Sequence, residues 1–250
     1  MTLPPAFLER PIAHRGLHDR AAGRVENSLA SIKAAVDAGY GIEIDIQASR
    51  DLVPMVFHDY DLSRLTAFKG AIAQHKAEEL CKIGLTDDAG TIPTLKEVME
   101  LVAGAVPLLI EVKDQDGSLG PQIGGLKRAI AKLLKGYEGD VAVMSFNPHH
   151  IAEMAGLLPD VPRGLVTDPF NARDWPTIPE GTRRRLASIP DYDAVDACFV
   201  SHNVNDLASP RIAELKAQGA QVLCWTVRSA EVEAAARKVA DNITFEGYAA

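Results

Sequence analysis

The chain has 250 residues, 47% of them hydrophobic and 24% charged, an ordinary globular composition on a length that can bury a substantial core. Its net charge is −8 and its sequence carries no extended basic stripe, which excludes the electrostatic footprint of a nucleic-acid binder. Cys81, Cys198 and Cys224 lack CxxC or zinc-finger spacing and read as reduced, buried residues. The opening MTLPPAFLERP has no apolar stretch of signal-peptide length, and no run reaches the ~18 apolar residues of a membrane span. The expectation is a cytoplasmic chain without a stable membrane anchor. Arg183, Arg184 and Arg185 read as a solvated helix face.

Taken in chain order, β-rich apolar segments alternate with helical patterns. Pro11 to His14 is the first strand. A helix follows, with Asn27 as its cap, Leu29, Ile32 and Val36 at helical spacing, and Gly39 near its stop. Gly41 to Gln47 (GIEIDIQ) and Val53 to Asp59 (VPMVFHD) are the next strands. Residues 65–92 form a less regular excursion. Thr94 and Glu97 make a capping box ahead of Val98, Leu101 and Val102. Pro107 to Lys113 (PLLIEVK) is a strand, and Ile123, Leu126, Ile130 and Leu133 form the apolar stripe of the crossover after it. Val141 to Phe146, Arg163 to Thr167, Ala197 to Ser201, Gln221 to Val227 and Asp241 to Gly247 complete the strands. His149 to Leu158, Ser209 to Gln218 and Ser229 to Val239 supply helices between them. Pro169 to Asp193 reads as a long loop with one short helix around Thr182 to Ala187.

Counting decides the architecture. Only about half a dozen residues separate GIEIDIQ from VPMVFHD, whereas a parallel crossover needs about a dozen. VPMVFHD is therefore an added arm beside the second strand, which leaves eight strands. The fold expected is an α/β TIM (β/α)8 barrel: one domain over residues 1–250 with a small insertion after the second strand. The competing open doubly wound sheet lacks a GxGxxG or GxxxxGK[ST] loop.

The polar residues at strand ends carry the chemistry. In GIEIDIQ the isoleucines share one face and Glu43, Asp45 and Gln47 the other. With the isoleucines under helices, two carboxylates point into the barrel, where they repel unless a cation joins them. Oxygen ligands suit Mg2+ or Ca2+. Glu111 completes a three-carboxylate set, and Lys113 shares its face as a phosphate ligand. His14 and His58 end the first strand and the added arm, and a histidine pair suits general acid and base roles. Arg15 offers a phosphate a fixed cationic fork. Together these residues point to phosphoryl chemistry, with cations offsetting charge on phosphate oxygens and histidines moving protons. Which histidine is acid and which is base stays open. His18, His75, His149, His150 and His202 read as surface or structural, Ser145 lacks a GxSxG elbow, and Trp225 packs in the barrel or walls the mouth.

IAHRG, VENSLASI, GIEIDIQASRD, VPMVFHDYDLSRLT, IPTLKEV, LLIEVK, MSFN and CWTV, in that order, resemble the glycerophosphodiester phosphodiesterase family from about residue 11 to 247. The resemblance implies a TIM barrel and metal-dependent hydrolysis of glycerophosphodiesters to glycerol 3-phosphate and an alcohol such as choline or ethanolamine. It implies His14 and His58 as the acid/base pair and Arg15 and Lys113 on the phosphate. It also implies Trp225 near the mouth, and Glu43, Asp45 and Glu111 on Ca2+ or Mg2+. In the mechanism usual for such enzymes a glycerol hydroxyl attacks phosphorus and a cyclic phosphate is then opened by water. Glu26 and Asn27 fall in the family's ENT-like turn, read here as structural at least as readily as catalytic. The last strand, ITFEG, departs from a common TD-like ending, Val25 from proline and Ser49 from threonine. Two other functions compete: a lysophospholipase D-like activity at a membrane surface, and a barrel that binds glycerophosphodiesters without turning them over. The partner expected is a small-molecule substrate, and a homodimer is compatible with the sequence.

Overall fold

The computed structural model describes residues 1–250. Eight parallel strands close a barrel: β1 (Ile12–Ala13), β2 (Gly41–Ala48), β4 (Leu108–Val112), β5 (Val141–Ser145), β6 (Arg163–Thr167), β7 (Phe199–Asn203), β8 (Gln221–Val227) and β9 (Asn242–Phe245). Closure comes from β1, which pairs in parallel with β2 on one side and with β9 on the other. The remaining strand, β3 (Pro54–Val56), runs antiparallel to the end of β2 and stays outside the ring. It is the added arm expected from its short connection, trimmed to three residues by the pairing.

Helices α2 (Leu29–Ala38), α4 (Leu95–Val102), α5 (Leu126–Leu134), α6 (Pro148–Leu157), α7 (Glu180–Ala187), α8 (Pro210–Ala217) and α9 (Ala230–Ala236) follow the barrel strands. Residues 246–250 after β9 form no helix. The capping box of Thr94 and Glu97 is present on α4. Two local expectations shift. The cap of α2 is Ser28, whose side chain accepts from Ser31 N–H, because Asn27 is turned inward at a φ of 58°. Ile123 lies before α5, whose buried stripe is Leu126, Ile130 and Leu134. Two one-turn helices, α1 (Ala6–Glu9) and α3 (Ala77–Leu80), lie under the barrel and within the excursion.

Two apolar layers follow from strand alternation. Ile42, Ile44 and Ile46 join Leu108, Ile110 and Val112 in a 41-residue cluster between strands and helices. The opposite faces contribute Ile12, Leu109, Ala142, Met144, Val166, Phe199 and Leu223, which with Phe7 of α1 fill the barrel's lower interior. Gly164 is needed there, since a Cβ at that position would lie 2.4 Å from the Phe199 ring. The excursion packs a third, 12-residue cluster, including Phe57, Leu62, Leu80 and Ile92, over β3. With the lower interior filled by hydrocarbon, polar side chains collect at the upper, C-terminal ends of the strands.

Candidate active site

The C-terminal end of the barrel brings together every site residue the sequence singled out. Glu43 and Asp45 from β2 and Glu111 from β4 offer carboxylate oxygens within 4.8 Å of one another, and all three are buried. The register explains this: Asp45 lies directly opposite Glu111 across the β2–β4 ladder. Lys113, two residues beyond Glu111, places Nζ 2.8 Å from both Asp45 Oδ1 and Glu111 Oε1. Arg15 follows β1 on the other side. Its backbone N–H donates to Glu43 Oε2 at 3.0 Å and its guanidinium donates to Glu26 Oε1 at 2.6 Å. Arg15 Nε lies 3.2 Å from Asp45 Oδ2 but off the hydrogen-bond direction, so this buried donor is unsatisfied.

The electrostatics are unevenly balanced. Burial pushes the Glu43 carboxyl well above its usual range, and repulsion from Asp45 and Glu111 adds to the shift. Asp45 moves the other way: burial opposes ionisation, but Lys113, His58, Arg15 and His14 outweigh it. Glu43 therefore sits among buried acids with a backbone donor but no full cation of its own. His14 Nε2 is 4.0 Å away on a ring that burial pushes down to about 4. A hard divalent cation fits this three-oxygen set and would offset its surplus charge. Asn27 completes the wall, its amide donating to Asp45 Oδ2 at 2.9 Å.

The two histidines are each held through Nδ1. His14 Nδ1 lies 2.5 Å from Glu246 Oε2, and His58 Nδ1 lies 2.7 Å from Asp59 Oδ1. A neutral His14 ring that donates Nδ1–H to the Glu246 carboxylate keeps its Nε2 lone pair towards the acids. Burial alone would raise Glu246, but its bonds to His14 and His18 and the nearby Arg228 hold it far below the usual carboxylate range. On the other side, Arg64 donates to both Asp59 and Glu26, so Arg15, Glu26, Arg64, Asp59 and His58 form one continuous ionic chain. Those bonds hold Glu26 down at about 2 against the opposing effect of burial.

His14, Arg15, Glu43, His58, Glu111, Lys113 and Trp225 line one cavity of about 130 Å3. His58, Glu111, Lys113 and Trp225 also border a wider hollow of about 720 Å3, walled by Tyr60, Phe146 and Trp175. Trp225 is anchored by donating Nε1–H to the Ser201 carbonyl and packs edge-on against Phe146, so it both packs and walls the mouth.

Sequence reasoning missed two groups. Glu246 was visible only as a departure from a TD-like strand ending, although an acid at the end of β9 is the signal that mattered. His18 was set aside as surface or structural, yet its Nε2 lies 3.4 Å from Glu246 Oε2. Of the other histidines set aside, His150 and His202 are buried, and Ser145 uses its hydroxyl to bond the Val112 carbonyl. Arg184 is exposed, whereas Arg183 caps the Ile178 carbonyl. No helix is long and apolar enough to cross a membrane.

Comparison with known proteins assigns the chain to a family. The profile of the Glycerophosphoryl diester phosphodiesterase family matches residues 14–243. A glycerophosphodiester phosphodiesterase of Caldanaerobacter subterraneus is 31% identical over 168 residues, covering 62% of this chain and 65% of that protein. The chain thus spans just under two thirds of that relative's length. Glycerophosphodiester phosphodiesterase 1 of Mus musculus is 31% identical over 260 residues, covering 91% of this chain and 74% of its own. Among solved structures, an Oleispira antarctica phosphodiesterase in complex with the product sn-glycerol-3-phosphate superposes with a TM-score of 0.76 at 25% identity, over 96% of this chain and 94% of that one. With the profile covering nearly the whole barrel, the chain belongs to the glycerophosphoryl diester phosphodiesterase family.

Proposed function

We propose that this chain hydrolyses glycerophosphodiesters to sn-glycerol 3-phosphate and an alcohol, with His14 and His58 as the acid/base pair and a divalent cation, Ca2+ or Mg2+, on Glu43, Asp45 and Glu111. The observation that carries this reading is the convergence of two imidazoles, two cationic side chains and the carboxylates of Glu43 and Glu111 on one cavity, with buried Asp45 grouped beside those carboxylates. The product complex of the Oleispira relative supports the substrate class. When bound, the cation would offset negative charge on the phosphoryl oxygens.

The chain's own residues do the rest. Arg15 lines the cavity and offers a phosphoryl oxygen its fixed cationic guanidinium. Lys113 lies beside it with one N–H to spare after its two carboxylate bonds. His14 Nε2 accepts the proton of the attacking hydroxyl, and Glu246 stabilises the imidazolium that results. His58, backed by Asp59, donates a proton to the oxygen of the departing alcohol. If the attacking hydroxyl is the substrate's own glycerol hydroxyl, the cyclic phosphate that forms is opened by water with the two histidines exchanging roles. Trp225 and Phe146 provide an apolar wall for the part of the substrate that carries no phosphate.

The test is release of glycerol 3-phosphate from glycerophosphocholine by chelator-stripped protein, with and without added Ca2+ or Mg2+. Activity that returns with metal supports the reading. Folded protein inactive with either ion, on choline and ethanolamine diesters alike, overturns it. Glu43→Gln should lose metal, by equilibrium dialysis, and turnover together, since an amide is a weaker ligand for a hard cation.

A further inference from the structure

We infer that His14, His18 and Glu246 form a second metal site, separate from the three carboxylates, that takes a late transition-metal ion such as Zn2+ and shuts the enzyme off. The three residues each offer a ligand atom within 4.8 Å of the others, and His14 Nδ1 and His18 Nε2 are the ring nitrogens that face Glu246 Oε2. Two imidazoles and one carboxylate are a zinc donor set, whereas an all-carboxylate set suits Mg2+ or Ca2+. The two clusters therefore sort ions by chemistry while lying on opposite sides of one imidazole.

The geometry needs little adjustment. Zn–N and Zn–O bonds of about 2.0–2.1 Å in a tetrahedron place neighbouring donor atoms roughly 3.3 Å apart. His18 Nε2 is already 3.4 Å from Glu246 Oε2. His14 Nδ1 is 2.5 Å from the same oxygen, a hydrogen bond whose proton the metal would replace. Glu246 is pre-aimed: Arg228 Nε donates to its other oxygen, Oε1, at 2.8 Å, which leaves Oε2 for the ion. His18 and Glu246 also border an open cavity of about 550 Å3, distinct from the substrate cavity, through which an ion and a fourth, water ligand can enter.

Inhibition follows from proton bookkeeping and rests on the proposed role of His14. A metal on Nδ1 requires that nitrogen to be unprotonated, so the single remaining ring proton must sit on Nε2. That is the atom facing the carboxylates, and once protonated it has no lone pair with which to accept a proton from the attacking hydroxyl.

The decisive measurement needs no turnover. Zn2+ binding to the folded protein is followed by equilibrium dialysis in excess Mg2+, which keeps the carboxylates occupied, for wild type, His18→Ala and His18→Gln. Wild type should bind Zn2+, and both variants should bind it about tenfold or more weakly, the least a lost ligand is expected to cost. In parallel, Zn2+ should inhibit wild-type diester hydrolysis, and the variants, each read against its own zinc-free rate, should need correspondingly more. Equal Zn2+ binding by wild type and both variants, or none by wild type, overturns the site. Binding that depends on His18 but leaves hydrolysis untouched overturns the inhibitory role. A protein that binds Zn2+ through His18 yet hydrolyses no diester keeps the site and refutes instead the activity proposed above.

Discussion

Glu246→Gln isolates what the carboxylate does for His14 while keeping the side chain's size. A hydrogen bond to a charged group contributes about 1.5–3 kcal/mol, against about 1 kcal/mol for a neutral one. The 2.5 Å contact to His14 Nδ1 on a largely buried carboxylate places this bond in the stronger class. Its benefit grows when Nε2 takes a proton and the ring becomes a cation, so the loss falls on the transition state rather than on substrate binding. The loss is the difference, about 0.5–2 kcal/mol, and at about 1.4 kcal/mol per tenfold in rate kcat should drop by roughly 2- to 30-fold. KM should change little, because Glu246 does not line the substrate cavity. Steady-state kinetics on glycerophosphocholine at saturating metal reads both parameters, and Glu246→Asp, which keeps the charge, should recover part of the rate. A Gln variant within about twofold of wild-type kcat, or one whose deficit lies wholly in KM, would refute the positioning role.

Other outcomes follow from the same geometry. His14→Ala and His58→Ala should each abolish turnover while circular dichroism and thermal unfolding stay near wild type; near-normal rates in either would remove the acid/base pair. Glu26→Gln should destabilise the protein by about 1.5–3 kcal/mol in urea at neutral pH, since it weakens charge-assisted bonds from Arg15 and Arg64. The Glu26 carboxyl is held down at about 2 in the folded state, so this stability is complete above its ordinary value and is lost as pH falls towards 2. Wild type and variant should accordingly converge in acid, and a gap that widens there would contradict the assignment. Gly164→Ala should lower stability by about 1–3 kcal/mol by driving a methyl group into the Phe199 ring, read as a fall in melting temperature.

The barrel is legible because each of its rules is local. The GIEIDIQ alternation separates the face under the helices from the face inside, and the short link to VPMVFHD forbids a parallel partner; both readings match the structure. The three carboxylates and Lys113 could be placed because strand period and register alone bring them together. Glu246 and His18 were not legible in the same way. Their partnership with His14 depends on β9 closing against β1, a contact across 232 positions for the His14–Glu246 pair that no local pattern encodes. Asn27 was misread for a related reason. Asn and Ser are both good caps, and only the demand of buried Asp45 for a donor pulls Asn27 inward and hands the cap to Ser28.

The two-residue strand β1 also bears on how the enzyme comes into being. It is held by β2 on one flank and by β9 on the other, so one of its flanks stays unpaired until residues 242–245 have left the ribosome. A sheet not yet closed there has two unpaired edges, the arrangement most exposed to pairing with neighbouring chains. The step that seals this seam is also the one that brings Glu246 to His14. Completion of the barrel and formation of the His14–Glu246 contact are therefore a single event, and a chain whose seam is still open lacks the carboxylate that holds the His14 ring.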